Sequence, residues 1–213
     1  MDRERLQATV RTLAGVRHPR AAPDALEAAA ELLTRGFRQA GLQTERRPFE
    51  FRGRSYDNVV GRLVGSRPEE PAVLVGAHYD TVPGSPGADD NASGVAVLLE
   101  TARRAARERV ARTIEFVGFN LEEPQDLLGS YRIGSGRFAE SARRAGRRYA
   151  GALILEMVGY TDPRPGAQTV PPFVFKRVPD TGTFLAAVGD GRSRKLLRAF
   201  AASAARHVPE LTV

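Results

Sequence analysis

The 213-residue chain contains no cysteine, which excludes disulfides, thiolate metal sites and cysteine nucleophiles together. Lysine occurs only at positions 176 and 195, so arginine carries nearly all of the basic charge behind a net +7. Histidine is limited to His18, His78 and His207. No apolar run approaches the roughly 18 residues that a membrane helix needs, so no membrane partner is expected. The opening Met1-Asp2-Arg3-Glu4-Arg5 lacks the apolar core of a signal peptide, and a cytoplasmic location is expected on that ground. Internal repeats and low-complexity tails are absent as well.

With 42% hydrophobic and 27% charged residues, the composition is ordinary for a globular protein. The length suits one sizeable α/β domain, expected to span residues 1–213. The Arg103-Arg104, Arg143-Arg144 and Arg147-Arg148 pairs lie among Ala, Glu and Gly in helix-like segments. They read as solvated helix faces. With no aromatic-and-basic stacking motif beside them, nucleic acid is not an expected partner.

Residues 2–15 and 23–40 have the spacing of amphipathic helices, the second ending before Gly41. Strands are expected at 44–51 and 58–64. The apolar run 72–77 suits a strand buried on both faces. Beyond it the chain alternates: helix at 92–107, strand at 113–119, helix at 130–143, strand at 152–155. An irregular Pro- and Gly-rich segment follows at 163–179, then a strand at 184–188, a helix at 193–205 and a final strand entered at 209–213. Strands alternating with helices imply βαβ units around a largely parallel sheet.

The acids fall at telling places. The strand at 72–77 leads into His78-Tyr79-Asp80, the strand at 113–119 into Glu122-Glu123, and the strand at 152–155 into Glu156. Asp89-Asp90-Asn91 stands at the start of a helix. In open α/β sheets the carboxyl edge is where ligands bind. Two like charges ~4 Å apart repel by about 4 kcal/mol at an effective dielectric near 20. Asp90, Glu123 and Glu156 would therefore need a cation to meet, and His78 offers the nitrogen ligand that zinc favours. Asp80, two residues after His78, points to the same side of the strand and is placed to accept the spare imidazole N–H. Taken singly, the histidine has a structural explanation, the Glu pair a solvated one and the Asp-Asp-Asn run that of a helix cap. Their joint order favours a metal site.

Gly76-Ala77-His78-Tyr79-Asp80-Thr81-Val82, Gly87-Ala88-Asp89-Asp90-Asn91-Ala92-Ser93-Gly94, Leu121-Glu122-Glu123 and Leu155-Glu156-Met157-Val158-Gly159-Tyr160 together resemble the M28 family of zinc aminopeptidases. The resemblance implies a three-layer α/β/α sandwich around a mixed, mostly parallel sheet, and peptide substrates with a free amino terminus. It implies two zinc ions: His78, Asp90 and Glu156 for the first, Asp90 and Glu123 for the second, with Glu122 as general base and Asp80 behind His78. Glu156 stands where many members have Asp. The family's second site also takes a histidine near the carboxyl terminus, and His207 does not resemble that segment. A carboxyl-terminally incomplete domain, lacking the last elements, is therefore expected, with one zinc bound strongly and activity impaired. A catalytically inactive binding module and a glutaminyl-cyclase-like zinc acyltransferase are the alternatives. Members of the family are often secreted, which stands against the cytoplasmic expectation.

Overall fold

A computed structural model of the chain describes residues 2–125, 129–168 and 179–213. Gln43–Phe51 (β1) and Arg54–Leu63 (β2) form an antiparallel hairpin. Arg52 and Gly53 make its turn with φ of 50° and 73°. Two consecutive positive φ values match the twist of the flanking strands, and glycine supplies one without steric cost. Pairing runs down to Phe51 opposite Arg54, so β2 starts earlier than its apolar residues alone suggest.

Ala72–His78 (β3), Ile114–Phe119 (β4) and Tyr149–Ile154 (β5) complete a five-stranded sheet in the order β1-β2-β4-β3-β5. β3 lies parallel to both β4 and β5, while β2 is antiparallel to β1 and β4. The sheet is mixed, with its parallel part gathered around β3.

Arg3–Leu13 (α1), Pro23–Gln39 (α2) and Gly94–Ala105 (α3) cover one face, and Ile133–Arg144 (α4) covers the other. Successive strand residues point to opposite faces. Val59, Val75 and Phe116 accordingly join Leu33, Phe37 and Leu98 in one core. Their neighbours Val60, Leu74 and Val117 join Phe138 and Ala142 of α4 in the other. A strand with both faces covered has no polar side to show, which is why 72–77 reads as a continuous apolar run. The result is the α/β/α layering expected. At the amino ends of the parallel strands, buried Glu115 accepts from Tyr149 Oη at 2.5 Å and from Arg147 at 3.2 Å.

α3 was expected from residue 92 and begins regularly at Gly94. The wider turn Ala88–Ser93 precedes it, with non-helical backbone at Asp90 (φ −99°, ψ 92°) and Asn91 (φ −133°, ψ 41°). The Asp90–Asn91 peptide is cis.

The chain divides into two compact units, Met1–Met157 and Val158–Val213. Among the described residues, the alternation of strands and helices falls within the first. In the second, Arg194–His207 (α5) follows a turn capped by Asp190, which accepts from the Ser193 N–H and Oγ–H at 2.9 Å each. The strands expected at 184–188 and 209–213 reduce among the described residues to one parallel bridge, Phe184 with Thr212. A strand persists only where a partner runs alongside it, and here a single pair meets. Of the irregular segment expected at 163–179, residues 163–168 show neither helix nor strand, and 169–178 lie outside the described residues.

Arg17, between α1 and α2, is only 2% exposed. Its Nε donates to the Tyr79 carbonyl at 2.8 Å and its Nη2 to Gly87 at 3.0 Å. Its Nη1 donates to Gly15 at 2.8 Å and also to Leu13. Burial pulls its pKa down to about 10, with Asp80 and Asp90 pulling it back up, so it stays charged at neutral pH. One guanidinium thus joins the α1–α2 loop, the exit of β3 and the turn before Asp90. Replacing it orphans several buried carbonyls, each at roughly 1–3 kcal/mol. Arg17→Met is expected to destabilise the protein by on the order of 3 kcal/mol, read from the urea midpoint at unchanged m-value.

Candidate metal centre

From β3 the chain crosses to β4 on one side, and from β4 it passes across to β5 on the other. Such a switch opens a crevice at the carboxyl ends of the strands. His78 is the last residue of β3, Glu122 and Glu123 follow β4, and Glu156 follows β5. The turn before α3 brings in Asp90.

These residues converge. His78 Nε2 lies 3.1 Å from Asp90 Oδ1 and 3.2 Å from Glu156 Oε1, and the three donor atoms lie within 4.8 Å of one another. The His78–Asp90 contact is close enough to act electrostatically but is not aligned as a hydrogen bond. Asp90 Oδ1 is therefore a buried acceptor with no hydrogen-bond partner. A buried oxygen without a donor is costly. One nitrogen and two carboxylate oxygens around it form a donor set that zinc accepts, so the residues present fit such an ion.

The electrostatics point the same way. Burial lowers the pKa of the His78 imidazole, but Asp80, Asp90 and Glu156 outweigh it and hold the ring protonated, up to about 12. The imidazolium supplies positive charge where a cation would sit. Asp90 is held below the usual carboxylate range by His78. Glu123, within hydrogen-bonding reach of Asp90, is pushed up by burial and by the Asp90 charge. Of the four expected ligands, the structure brings the donor atoms of His78, Asp90 and Glu156 within 4.8 Å of one another, and Glu123 stands beside Asp90 outside that group.

Asp80 is fully buried and does more than stand behind the histidine. Nδ1 of His78 is 3.1 Å from the Asp80 carbonyl oxygen and 3.5 Å from its Oδ1. The nearer acceptor is the backbone. The carboxylate instead accepts the N–H groups of Glu122 and Glu123, both at 3.1 Å. The loop carrying the two glutamates is braced further by Gln125, which donates to the Glu123 carbonyl at 2.7 Å, and by Arg20, which donates to the Gln125 carbonyl at 2.8 Å.

The Glu122 carboxylate is held by Ser135 of α4, whose N–H and Oγ–H each donate at 2.7 Å. Burial pushes the Glu122 pKa up, and the Ser135 bonds oppose that. Glu122, Glu123, His78 and Glu156 line one cleft of about 820 Å³, whose wall also carries Phe119, Phe138 and Ile154.

Sequence reasoning missed Ser135 and Arg17. Ser135 stood near the start of an expected helix, where serine is a routine cap. Arg17 bonds to backbone carbonyls remote in sequence and leaves no local pattern. Of the remaining histidines, His18 is buried and its Nδ1 accepts the N–H groups of Arg20 and Ala21. His207 ends α5 in the second unit, with Nδ1 2.9 Å from the Ser203 carbonyl.

A histidine and three carboxylates thus gather at the carboxyl edge of a mixed α/β sheet, a donor set of the kind that zinc accepts. Residues 58–200 match Peptidase family M28, and the chain belongs to that family. It is 36% identical over 197 residues to the uncharacterized protein YfbL of Escherichia coli, covering 87% of this chain and 59% of that one. Over 81 residues it is 41% identical to aminopeptidase YwaD of Bacillus subtilis, 38% of this chain and 18% of that one. Among solved structures, a glutaminyl cyclase from Porphyromonas gingivalis superposes with a TM-score of 0.60 at 29% identity, covering 72% of this chain and 57% of that one. The chain therefore spans less than two thirds of the length of these relatives. No helix among the described residues is long and apolar enough to cross a membrane.

Asp80→Ala keeps every metal-ligand side chain and the backbone carbonyl beside His78, but removes the carboxylate that holds the Glu122–Glu123 loop. Zinc affinity is expected to fall ~10–100-fold, measured by competition with a chromophoric chelator, and His78→Ala should lower it further.

Proposed function

We propose that the chain is a zinc-dependent aminopeptidase acting on peptides with a free amino terminus. The observation that carries this reading is the convergence of His78, Asp90 and Glu156 within 4.8 Å, beside Glu122 in one cleft of a chain of peptidase family M28. His78, Asp90 and Glu156 would hold the first zinc, and Asp90 with Glu123 would face a second. When bound, zinc supplies Lewis acidity, which makes water available as a nucleophile near neutral pH and polarises the scissile carbonyl.

The chain's own residues supply the rest. Glu122, close to the donor atoms yet held by Ser135, takes the proton of the attacking water and returns it to the leaving amine. Asp80 spaces the Glu122–Glu123 loop against His78 through its two backbone contacts.

A second reading, a glutaminyl-cyclase-like acyltransferase, is favoured by the 29% identical solved structure. Both readings place chemistry on the same residues and differ in product. With zinc added, the chain is expected to release amine from aminoacyl anilides. Glu122→Gln should lower turnover ~10²–10⁴-fold with KM little changed. Cyclisation of an amino-terminal glutamine without anilide hydrolysis would replace the first reading by the second. Zinc binding with neither product would identify a binding module.

Three donors around the first position and two around the second lead to one tightly held zinc. Elemental analysis after dialysis is expected to find one per chain, and two would overturn that assignment.

A further inference from the structure

We infer that Ser135 is a positioning residue that fixes the orientation of the Glu122 carboxylate, an inference that rests on the general-base role proposed above. The first turn of α4 is stitched to the chain leaving β4. Gly134 N–H donates to the Asn120 carbonyl at 3.1 Å, Ile133 N–H to Leu121 at 3.0 Å, and Arg132 N–H to Glu122 at 3.1 Å. Gly134 permits this approach, because a Cβ there would fall 2.1 Å from the Asn120 oxygen. Ser135 continues the series, except that its partner is the Glu122 side chain.

That grip has two halves with different consequences. The N–H bond to Oε1 satisfies an amide left over at the start of the helix, as any cap does. The Oγ–H bond to Oε2 serves no such need. Its effect is to hold the second oxygen, so the carboxylate cannot turn about its last torsion or swing out of the cleft wall that Glu122 and Ser135 share with His78 and Glu156. Hydrogen bonds to a carboxylate are among the strong ones. A base that must meet a water proton in one direction gains from a fixed plane.

Ser135→Ala removes the hydroxyl half and leaves the capping half. With zinc present, kcat on an aminoacyl anilide is expected to fall ~10–100-fold, while KM and zinc affinity stay within about twofold. Ser135→Thr restores the hydroxyl and is expected to recover kcat to within about threefold of wild type. Crystal structures of both variants give a readout independent of turnover: the Glu122 carboxylate should be displaced or rotated in Ser135→Ala and restored in Ser135→Thr. An unmoved carboxylate in Ser135→Ala, or a displaced one with wild-type kcat, overturns the inference. Wild-type turnover by Glu122→Gln would instead remove the general-base reading. If the chain hydrolyses nothing, carboxylate displacement still decides whether Ser135 positions Glu122.

Discussion

Five carboxylates, from Asp80, Asp90, Glu122, Glu123 and Glu156, gather around one imidazole at the carboxyl edge of the sheet, and their mutual repulsion is the constraint the first unit is built to meet. Each close pair costs a few kcal/mol at the dielectric of a partly buried site. The structure answers each acid differently. Asp80 accepts two backbone N–H groups, Glu122 accepts two hydrogen bonds from Ser135, and Asp90 feels the His78 charge without a hydrogen bond to its Oδ1. Glu123 is pushed toward its neutral form. Arg17 adds a buried positive charge from behind. What stays unanswered is the oxygen of Asp90 that faces His78 and Glu156. That deficit is one a cation would relieve.

The sheet makes the gathering possible. β4 and β5 flank β3 on opposite sides, so residues from three separate stretches of chain arrive at one edge without any of them lying in a helix or strand interior. The two cores hold that edge rigid. Because α1, α2 and α3 pack on one face and α4 on the other, β3 cannot shift without disturbing both. α4 then has a double duty, since the helix that covers the second core also presents Ser135 to Glu122. A site whose supports are themselves core elements keeps its geometry at little extra cost.

Much of this was legible in advance. The apolar run at 72–77, the alternation of strands and helices, and His78, Asp90, Glu123 and Glu156 at strand and helix ends all carry local signals, because burial and capping act on neighbouring residues. The short β3 and β4 strands were placed to within a residue. The failures have equally local causes. α3 begins late because the chain bends at Asp90, and a bend of that kind leaves no mark in hydrophobic spacing. The strand expected at 184–188 has the right composition but meets a partner at a single residue. Asp80 was given one role from its spacing to His78. Its stronger contacts run to two amides more than forty positions away.

By itself, then, the amino-acid sequence determined the class of fold, the edge at which chemistry gathers and the kinds of ligand found there, since these follow from periodicity and residue type. Only the tertiary structure decided that Asp90 keeps an unsatisfied oxygen, that Asp80 spends its carboxylate on the Glu122–Glu123 loop, and that Arg17 and Ser135 belong to the site. Each of those depends on which distant backbone groups come within about 3 Å, a hydrogen-bond length. That distance is set by how the strands are ordered in the sheet and by which face each helix covers. No window of sequence contains it.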